Sequence, residues 1–581
     1  MPSPVNANDA PSLSVATLPR KAVVMGFGTK LIIGRYPLDD AVAPSPYNSV
    51  LVDDGQLVRA VEFLQIPDGP LCVVSAGDSK LINVYNVSSW KQNNPLAAEA
   101  SSDDDDRGNK NGSDAAVHVS EVDILDGEAR RAAATKVPSS AKANKALTTA
   151  EYWKPSYQYG PHTKRITSLA TCAEGSVIFA DKFGEVYRLR LSWSPSHTIE
   201  VDGDAAKPAT FLLQHFSILS TMFLTSPIPR IEAVAASEDR SGVACRRLFT
   251  CDKDRHARVS RYPETYVIDQ FLWTRTSVQS VVTCVAEVVY MEDAAVYDPM
   301  YNVTAERVNK HNKAFNAPFS YYVTGTHAGD VHFWAAMNTI PMESNKESFH
   351  LISTFRPRLA GGALEELGAV VGITVLTSGT DRFGYPRHPR DTPRGVLVAY
   401  ERCCDVFFIP LYDNMGAYAL HPALVAATRT TLEALPVAMV SSNDATAFVL
   451  KRDGSVSFVC LCDVPPPATG SPAKTCSFNA NIHVELRETD VKMPYLEERI
   501  RAVMGGPASA SSGASGEKQT ALEALDLSAP WRYEAVDPRT RKHGDDKDDS
   551  KESESDEEGE AKSQGKKGNG NAKKKARVDA S

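Results

Sequence analysis

The chain has 581 residues, 42% hydrophobic and 23% charged, with a formal net charge of -9. That balance argues against a protein that grips nucleic acid through an overall basic surface, because phosphate neutralisation needs one. No apolar run reaches the roughly 18 residues of a membrane span, and the opening MPSPVNANDAPS lacks the basic flank and apolar core of a secretory signal, so an intracellular protein is expected.

After a leader read as flexible over residues 1–19, KAVVMGFGTKLIIGRY (Lys21 to Tyr36) reads as two short strands. Its Gly26-Phe27-Gly28 is no phosphate loop, since neither a third glycine nor a helix follows. Ala60 to Val87 then sets a rhythm of strand, turn and strand: VEFLQI, LCVVSAG, a turn at Asp78 to Lys80, and LINVYNV. This is the first blade. Residues 96–150 break the rhythm with SSDDDDRGNKNGSD and an Ala-, Lys- and Ser-rich continuation. So few large apolar side chains cannot offset the entropy of ordering, which predicts a disordered surface insertion.

The second blade is TKRITSLATCAEGSVIFADKFGEVYRLRL (Thr163 to Leu191). The third opens at HFSILSTMFL (His215 to Leu224) and continues in LFTCDKDRHARVSRYPETYVIDQF (Leu248 to Phe271). Within it, strands are expected at Leu248 to Cys251 and Ala257 to Tyr262, a polar turn at Asp252 to Arg255, and another strand from Tyr266. In WD-type repeats a turn carboxylate accepts backbone and side-chain hydrogen bonds. Asp254 is assigned that place here and Asp181 the structural turn of the second blade, with His215 completing the internal network. Ser260 and Arg261 stand where such repeats carry Trp-Asp, so the repeat is degenerate.

The fourth blade runs from VQSVVTCVAEVVYM through a polar insertion (Glu292 to Pro318) to SYYVTGTHAGDVHFWAA, where Ala328 holds the expected turn-Asp position. The fifth lies around AVVGITVLTS and GVLVAYERCCDVFFIPL, and the sixth is VAMVSSNDATAFVLKRDGSVSFVCL (Val437 to Leu461). The seventh combines NIHVELR (Asn481 to Arg487) with N-terminal strands, which closes the ring and removes free sheet edges. Such spacing over residues 20–494 predicts an all-β, seven-bladed WD40-type β-propeller rather than a sandwich. Beyond it, residues 495–539 read as appended short helices, YLEERIRAVM and EKQTALEAL, around a flexible linker. Residues 540–581 form a disordered charged tail whose Lys573, Lys574, Lys575 and Arg577 resemble a nuclear import signal, so a nuclear location is expected.

No GxSxG, GxxxxGK[ST], HExxH or paired CxxC occurs, so neither a catalytic centre nor a metal site is expected. The ten cysteines lie scattered in strand-like runs and read as reduced thiols. His215 and the turn carboxylate read as part of the repeat's hydrogen-bond network rather than as a catalytic dyad.

FADKFGEVY (Phe179 to Tyr187), HFSIL (His215 to Leu219) and DKDRHARVS (Asp252 to Ser260), with SRYPETYVID behind it, resemble the signature blades of one family. It is the non-catalytic WD-repeat subunit of the eukaryotic tRNA (guanine-N7) methyltransferase. The matches lie within about residues 163–288; Thr274-Arg275 and Thr221 depart from the family's usual Gly-His and Asp. The resemblance implies a scaffold that is not itself an enzyme. It would hold the catalytic subunit as a heterodimer and meet tRNA through the complex, while S-adenosylmethionine belongs to the partner and no cofactor to this chain. It also implies that Arg258 pairs with acidic residues of that subunit, that His256 is a second contact, and that Arg255, Lys253 and Lys182 lie nearby. A propeller adaptor of another nuclear assembly, such as a ubiquitin ligase or chromatin complex, is the alternative.

Overall fold

The second strand of each repeat has an apolar centre without strict alternation, a pattern that satisfies a strand covered on both faces rather than on one. In a computed structural model the strands Leu71–Gly77, Ser176–Asp181, Arg246–Asp252, Arg394–Tyr400 and Thr446–Lys451 are buried almost throughout. The structure describes residues 12–18, 21–36, 49–55, 57–87, 154–226, 246–272, 280–289, 320–338, 347–357, 367–379, 385, 387, 392–414, 419–443, 445–465, 475–478, 482–489 and 493–504. All of them belong to the unit Met1–Arg532.

Among the described residues the strands form seven antiparallel sheets of four or five strands, each a meander in chain order but for small departures at the outer edge. The first blade comprises Val58–Gln65, Leu71–Gly77, Ile82–Asn86 and Tyr157–Tyr159. The second begins at Ile166–Cys172, the third at Leu219–Leu224, the fourth at Val282–Val289, the fifth at Val370–Thr377 and the sixth at Pro436–Asn443. The seventh is Leu13–Leu18, Ala22–Phe27, Lys30–Arg35 and Ser49–Asp53. Their first strands neighbour one another around a closed ring, the seventh lying between the sixth and the first. The molecule is an all-β, seven-bladed propeller.

Hydroxyl groups on these inner strands tie blade to blade. Thr171 Oγ1 donates to the Phe63 carbonyl at 2.7 Å, Ser220 Oγ to Val282 at 2.6 Å and Thr283 Oγ1 to Val370 at 2.7 Å. Thr17 does the same to Ser441 across the closing seam. At the junction of the third and fourth blades, the wholly buried Arg247 donates to the Tyr322 hydroxyl at 2.8 Å and lies 5.3 Å from the Phe349 ring centroid.

Three expectations are corrected. The leader is not flexible throughout, because Leu13–Leu18 pairs with Ala22–Phe27 as the innermost strand of the seventh blade. The seventh blade takes all its strands from the N-terminus, whereas His483–Thr489 pairs with Val456–Val464 and stays in the sixth. The ring is therefore closed by packing between two complete blades and not by a shared sheet. The helix Pro494–Met504 is also no appendage: Leu496, Arg499, Ile500 and Met504 are buried. Leu496, Ile500 and Met504 join Met25, Ile32, Leu51, Phe448 and Phe458 in one apolar cluster. Arg499 Nε donates to Ser49 Oγ at 2.9 Å in the seventh blade, while the Val456 N–H of the sixth reaches Glu497 Oε1 at 3.3 Å. Residues 96–150, for which disorder was expected, the polar insertion of the fourth blade, EKQTALEAL and the charged tail lie outside the described residues.

Candidate partner-binding surface

The second-to-third-strand turns of the second and third blades share one geometry. Each starts from an Asp that is the last residue of a buried strand, so its carboxylate points into the blade and can reach the N–H four residues on. Asp181 Oδ1 accepts from Phe183 N–H at 2.8 Å and Glu185 N–H at 3.1 Å. Asp252 Oδ1 accepts from His256 N–H at 2.9 Å, and its Oδ2 lies 2.9 Å from His215 Nδ1 and 3.2 Å from His256 Nδ1. His215 Nε2 is in turn 2.7 Å from Thr250 Oγ1. Burial pushes the Asp252 carboxyl up, but the bonds from His215 and the His256 N–H outweigh it and hold it below the usual carboxylate range.

The network foreseen for Asp254 thus belongs to Asp252. Asp254 stands two residues later, past the strand end, and is exposed. The fourth blade shows the same register: Thr326 Oγ1 accepts the Asp330 N–H at 3.0 Å, so Ala328 is the counterpart of the exposed Asp254 and leaves no gap. Arg255 has φ 71°, the left-handed conformation that Gly184 (φ 78°), Gly329 (φ 85°) and Gly454 (φ 80°) supply in the equivalent turns. A Cβ on Gly184 would also meet the Ser217 carbonyl at 2.4 Å, so glycine is required there. In the third blade an arginine takes this conformation instead, as Lys80 (φ 66°) does in the equivalent turn of the first blade.

Backbone bonds join these turns into one surface. Lys182 N–H donates to the Arg165 carbonyl, His215 N–H to Gly184 and Lys253 N–H to Ile218, all at 2.9 or 3.0 Å. The structure therefore brings Lys182, Lys253, Arg255 and His256 to one end of two adjacent blades. Burial lowers the Lys253 ammonium pKa, and nearby Arg165 adds to the effect. Phe183, half-exposed in its turn, has Lys164 Nζ 4.8 Å and Lys182 Nζ 5.4 Å from its ring centroid. Phe216, in the connection between the blades, is 100% exposed.

Arg258 is placed differently. Its side chain runs back along its own blade, Nε donating to Ser260 Oγ at 2.8 Å and Nη2 to the Thr265 carbonyl at 2.7 Å. It is half-buried rather than an outward, solvated arginine, and burial pushes its pKa down. Lys573, Lys574, Lys575 and Arg577 lie outside the described residues.

Sequence reasoning missed the aromatic part. Among the described residues the exposed large apolar side chains are Phe183, Phe211, Phe216, Tyr266, Ile268, Phe271 and Tyr385. All but Tyr385 belong to the second and third blades or their connection, a concentration that marks an interaction surface. The available signal was an aromatic residue within a tight turn, as in Lys182-Phe183-Gly184, or at a blade junction, as in His215-Phe216. Arg165 and Lys164 complete the cationic part.

A protein of Candida glabrata named tRNA (guanine-N(7)-)-methyltransferase non-catalytic subunit TRM82 is 32% identical over 111 residues, 19% of this chain and 22% of that protein. Proteins of the same name from Lodderomyces elongisporus (30% over 113 residues, 19% and 24%) and Kluyveromyces lactis (27% over 128 residues, 22% and 24%) also match. Over that stretch the chain is similar to the TRM82 proteins. The similarity spans less than a quarter of the length of these relatives, and no family model matches. Among solved structures, Saccharomyces cerevisiae Sqt1 aligns with 84% of this chain and 97% of its own, at 11% identity and a TM-score of 0.39. The WD40 β-propeller domain of Doa1 aligns with 77% and 91%, at 10% identity and a TM-score of 0.34. The propeller assignment rests on the sheet topology itself.

Proposed function

We propose that this chain is the non-catalytic subunit of a tRNA (guanine-N7) methyltransferase, binding and stabilising the catalytic subunit as a heterodimer. In that role it supports N7-methylguanosine formation in the variable region of tRNA, meets tRNA through the complex, and works in the nucleus. S-adenosylmethionine belongs to the partner. The observation that carries this reading is the similarity to proteins of one name from five organisms. The surface of the second and third blades supports it: cationic turns beside exposed rings suit a partner that offers carboxylates around an apolar patch.

Affinity capture of the tagged chain from its source cell, followed by mass spectrometry, tests the proposal. The expected result is recovery of a methyltransferase that modifies guanine N7 of tRNA with S-adenosylmethionine as donor. Recovery of ubiquitin-ligase or chromatin subunits in its place would replace this reading with the adaptor alternative.

A further inference from the structure

At the end of the propeller where second strands turn into third strands, several cations are neutralised in place. Arg356 Nε lies 2.9 Å from Asp330 in the fourth blade and Lys451 Nζ 3.2 Å from Glu488 in the sixth. Lys30 pairs with Asp53 in the seventh, and Arg59 Nη2 lies 2.8 Å from Asp78 in the first. Lys80, Lys164 and Lys182 differ: among the described residues none of the three has a carboxylate within ion-pair distance. Backbone bonds set them in a row. The Lys80 carbonyl, in the turn of the first blade, accepts the His162 N–H at 2.7 Å, and the Arg165 carbonyl accepts the Lys182 N–H at 3.0 Å, with Lys164 in the connection between. The carboxylates beside the row are engaged elsewhere. Asp78 holds Arg59, Asp181 is buried and bonded to its own turn, and Glu185 accepts the Tyr187 hydroxyl at 2.8 Å.

The row changes character along its length. Toward the third blade it meets the exposed rings of Phe183 and Phe216, whereas the described residues of the first blade include no exposed large apolar side chain. A protein partner is anchored by an apolar centre with aromatic residues; a phosphodiester backbone is held by cations alone. We propose that Lys80 and Lys164 bind the phosphodiester backbone of tRNA, on the flank of the surface that takes the catalytic subunit. The inference rests on the reading of function above and adds a direct contact between this chain and the substrate. A net charge of -9 argues against a grip over the whole surface, but not against a local one. An ammonium group is a point charge on a flexible stem, so the contact places the tRNA without reading its sequence.

The test measures tRNA binding by the full-length chain, alone and with the catalytic subunit added, by fluorescence anisotropy over a range of salt concentrations. Lys80→Gln and Lys164→Gln should each lower affinity roughly two- to fivefold. The double variant should reduce the slope of log affinity against log salt by about 1.4 to 1.8, the sum for two phosphate contacts. Lys207→Gln removes the same charge from an exposed loop at the opposite end of the second blade and should keep the wild-type slope. Lys80→Gln should also co-purify the catalytic subunit at full strength. An unchanged slope in the double variant, or an equal loss in Lys207→Gln, would overturn the proposal. So would a weakened heterodimer in Lys80→Gln, which would assign that turn to an acidic protein surface. Failure of the wild-type chain to bind a methyltransferase would count against the reading of function instead, and the measurements on the chain alone would still decide the tRNA contact.

Discussion

Asp252 and Asp254 differ by two positions and by everything that matters energetically. Asp252 is 1% exposed and receives bonds from His215 and from the His256 N–H. Removing it orphans those donors, so Asp252→Ala should cost roughly 1 to 3 kcal/mol, while Asp254→Ala on the exposed turn should stay within about 0.5 kcal/mol. Thermal melts of both variants check the register, and equal midpoints would refute it. Because the folded-state pKa of Asp252 is depressed, its contribution is fully present above the unfolded value near 3.9 and disappears as pH falls through the lower folded value. The difference in melting midpoint between wild type and Asp252→Ala should accordingly narrow on acidification below about pH 4. Arg258 and Lys182 make a second contrast. Arg258→Glu breaks two internal hydrogen bonds and should destabilise the third blade by about 1 to 3 kcal/mol whatever it does to binding. Lys182→Glu, on a turn, should leave the melting temperature unchanged yet weaken the methyltransferase complex by tenfold or more. Calorimetric titration with the catalytic subunit distinguishes them, and full-strength binding by Lys182→Glu would remove that turn from the interface.

At the scale of elements, the helix Pro494–Met504 acts as a clasp on the one seam that chain continuity does not cover. It touches the seventh blade through Leu496 against Gly34 and Arg499 with Ser49, and the sixth through Glu497 with Val456. Its apolar face buries Leu496, Ile500 and Met504 in the cluster shared by both blades. Leu496→Ala should therefore cost about 2 to 5 kcal/mol. The loss should be local first, appearing as faster amide hydrogen exchange in Leu13–Leu18 and Pro436–Asn443 before the other five blades. Uniform acceleration around the ring would show that the helix stabilises the molecule without guarding the seam.

For the whole molecule, the proposed division of labour places cofactor chemistry on another chain. The purified protein should neither bind S-adenosylmethionine nor methylate tRNA until the catalytic subunit is added; isothermal calorimetry showing micromolar cofactor binding to the isolated chain would contradict this. Deleting residues 562–581 should move the protein from nucleus to cytoplasm without altering complex formation, which fluorescence microscopy and co-purification together can check. Unchanged nuclear accumulation would remove Lys573, Lys574, Lys575 and Arg577 as the import signal.

Local pattern was enough to find the blades, because a strand's periodicity and its turn residues are properties of neighbouring positions. Apolar runs such as SVIFAD and LCVVSAG, each ended by a polar turn, repeat at a spacing that only a ring of sheets accommodates. The signature stretches around Asp181, His215 and Arg258 likewise sufficed to point to the family. What they left open depends on contacts between distant residues. The two-residue error at Asp254 arose because composition marks a polar turn, whereas the side chain that points inward is decided by where the buried strand ends. NIHVELR has the alternation of a strand in either blade, and only pairing with Val456–Val464 assigned it to the sixth. The clasp was invisible because the partners of Leu496 and Arg499 lie some 450 positions earlier, at Gly34 and Ser49. The grouping of Phe183, Phe216, Lys182 and Lys253 came from the Gly184–His215 backbone bond and the His215–Asp252 contact, which join positions that no run of residues contains.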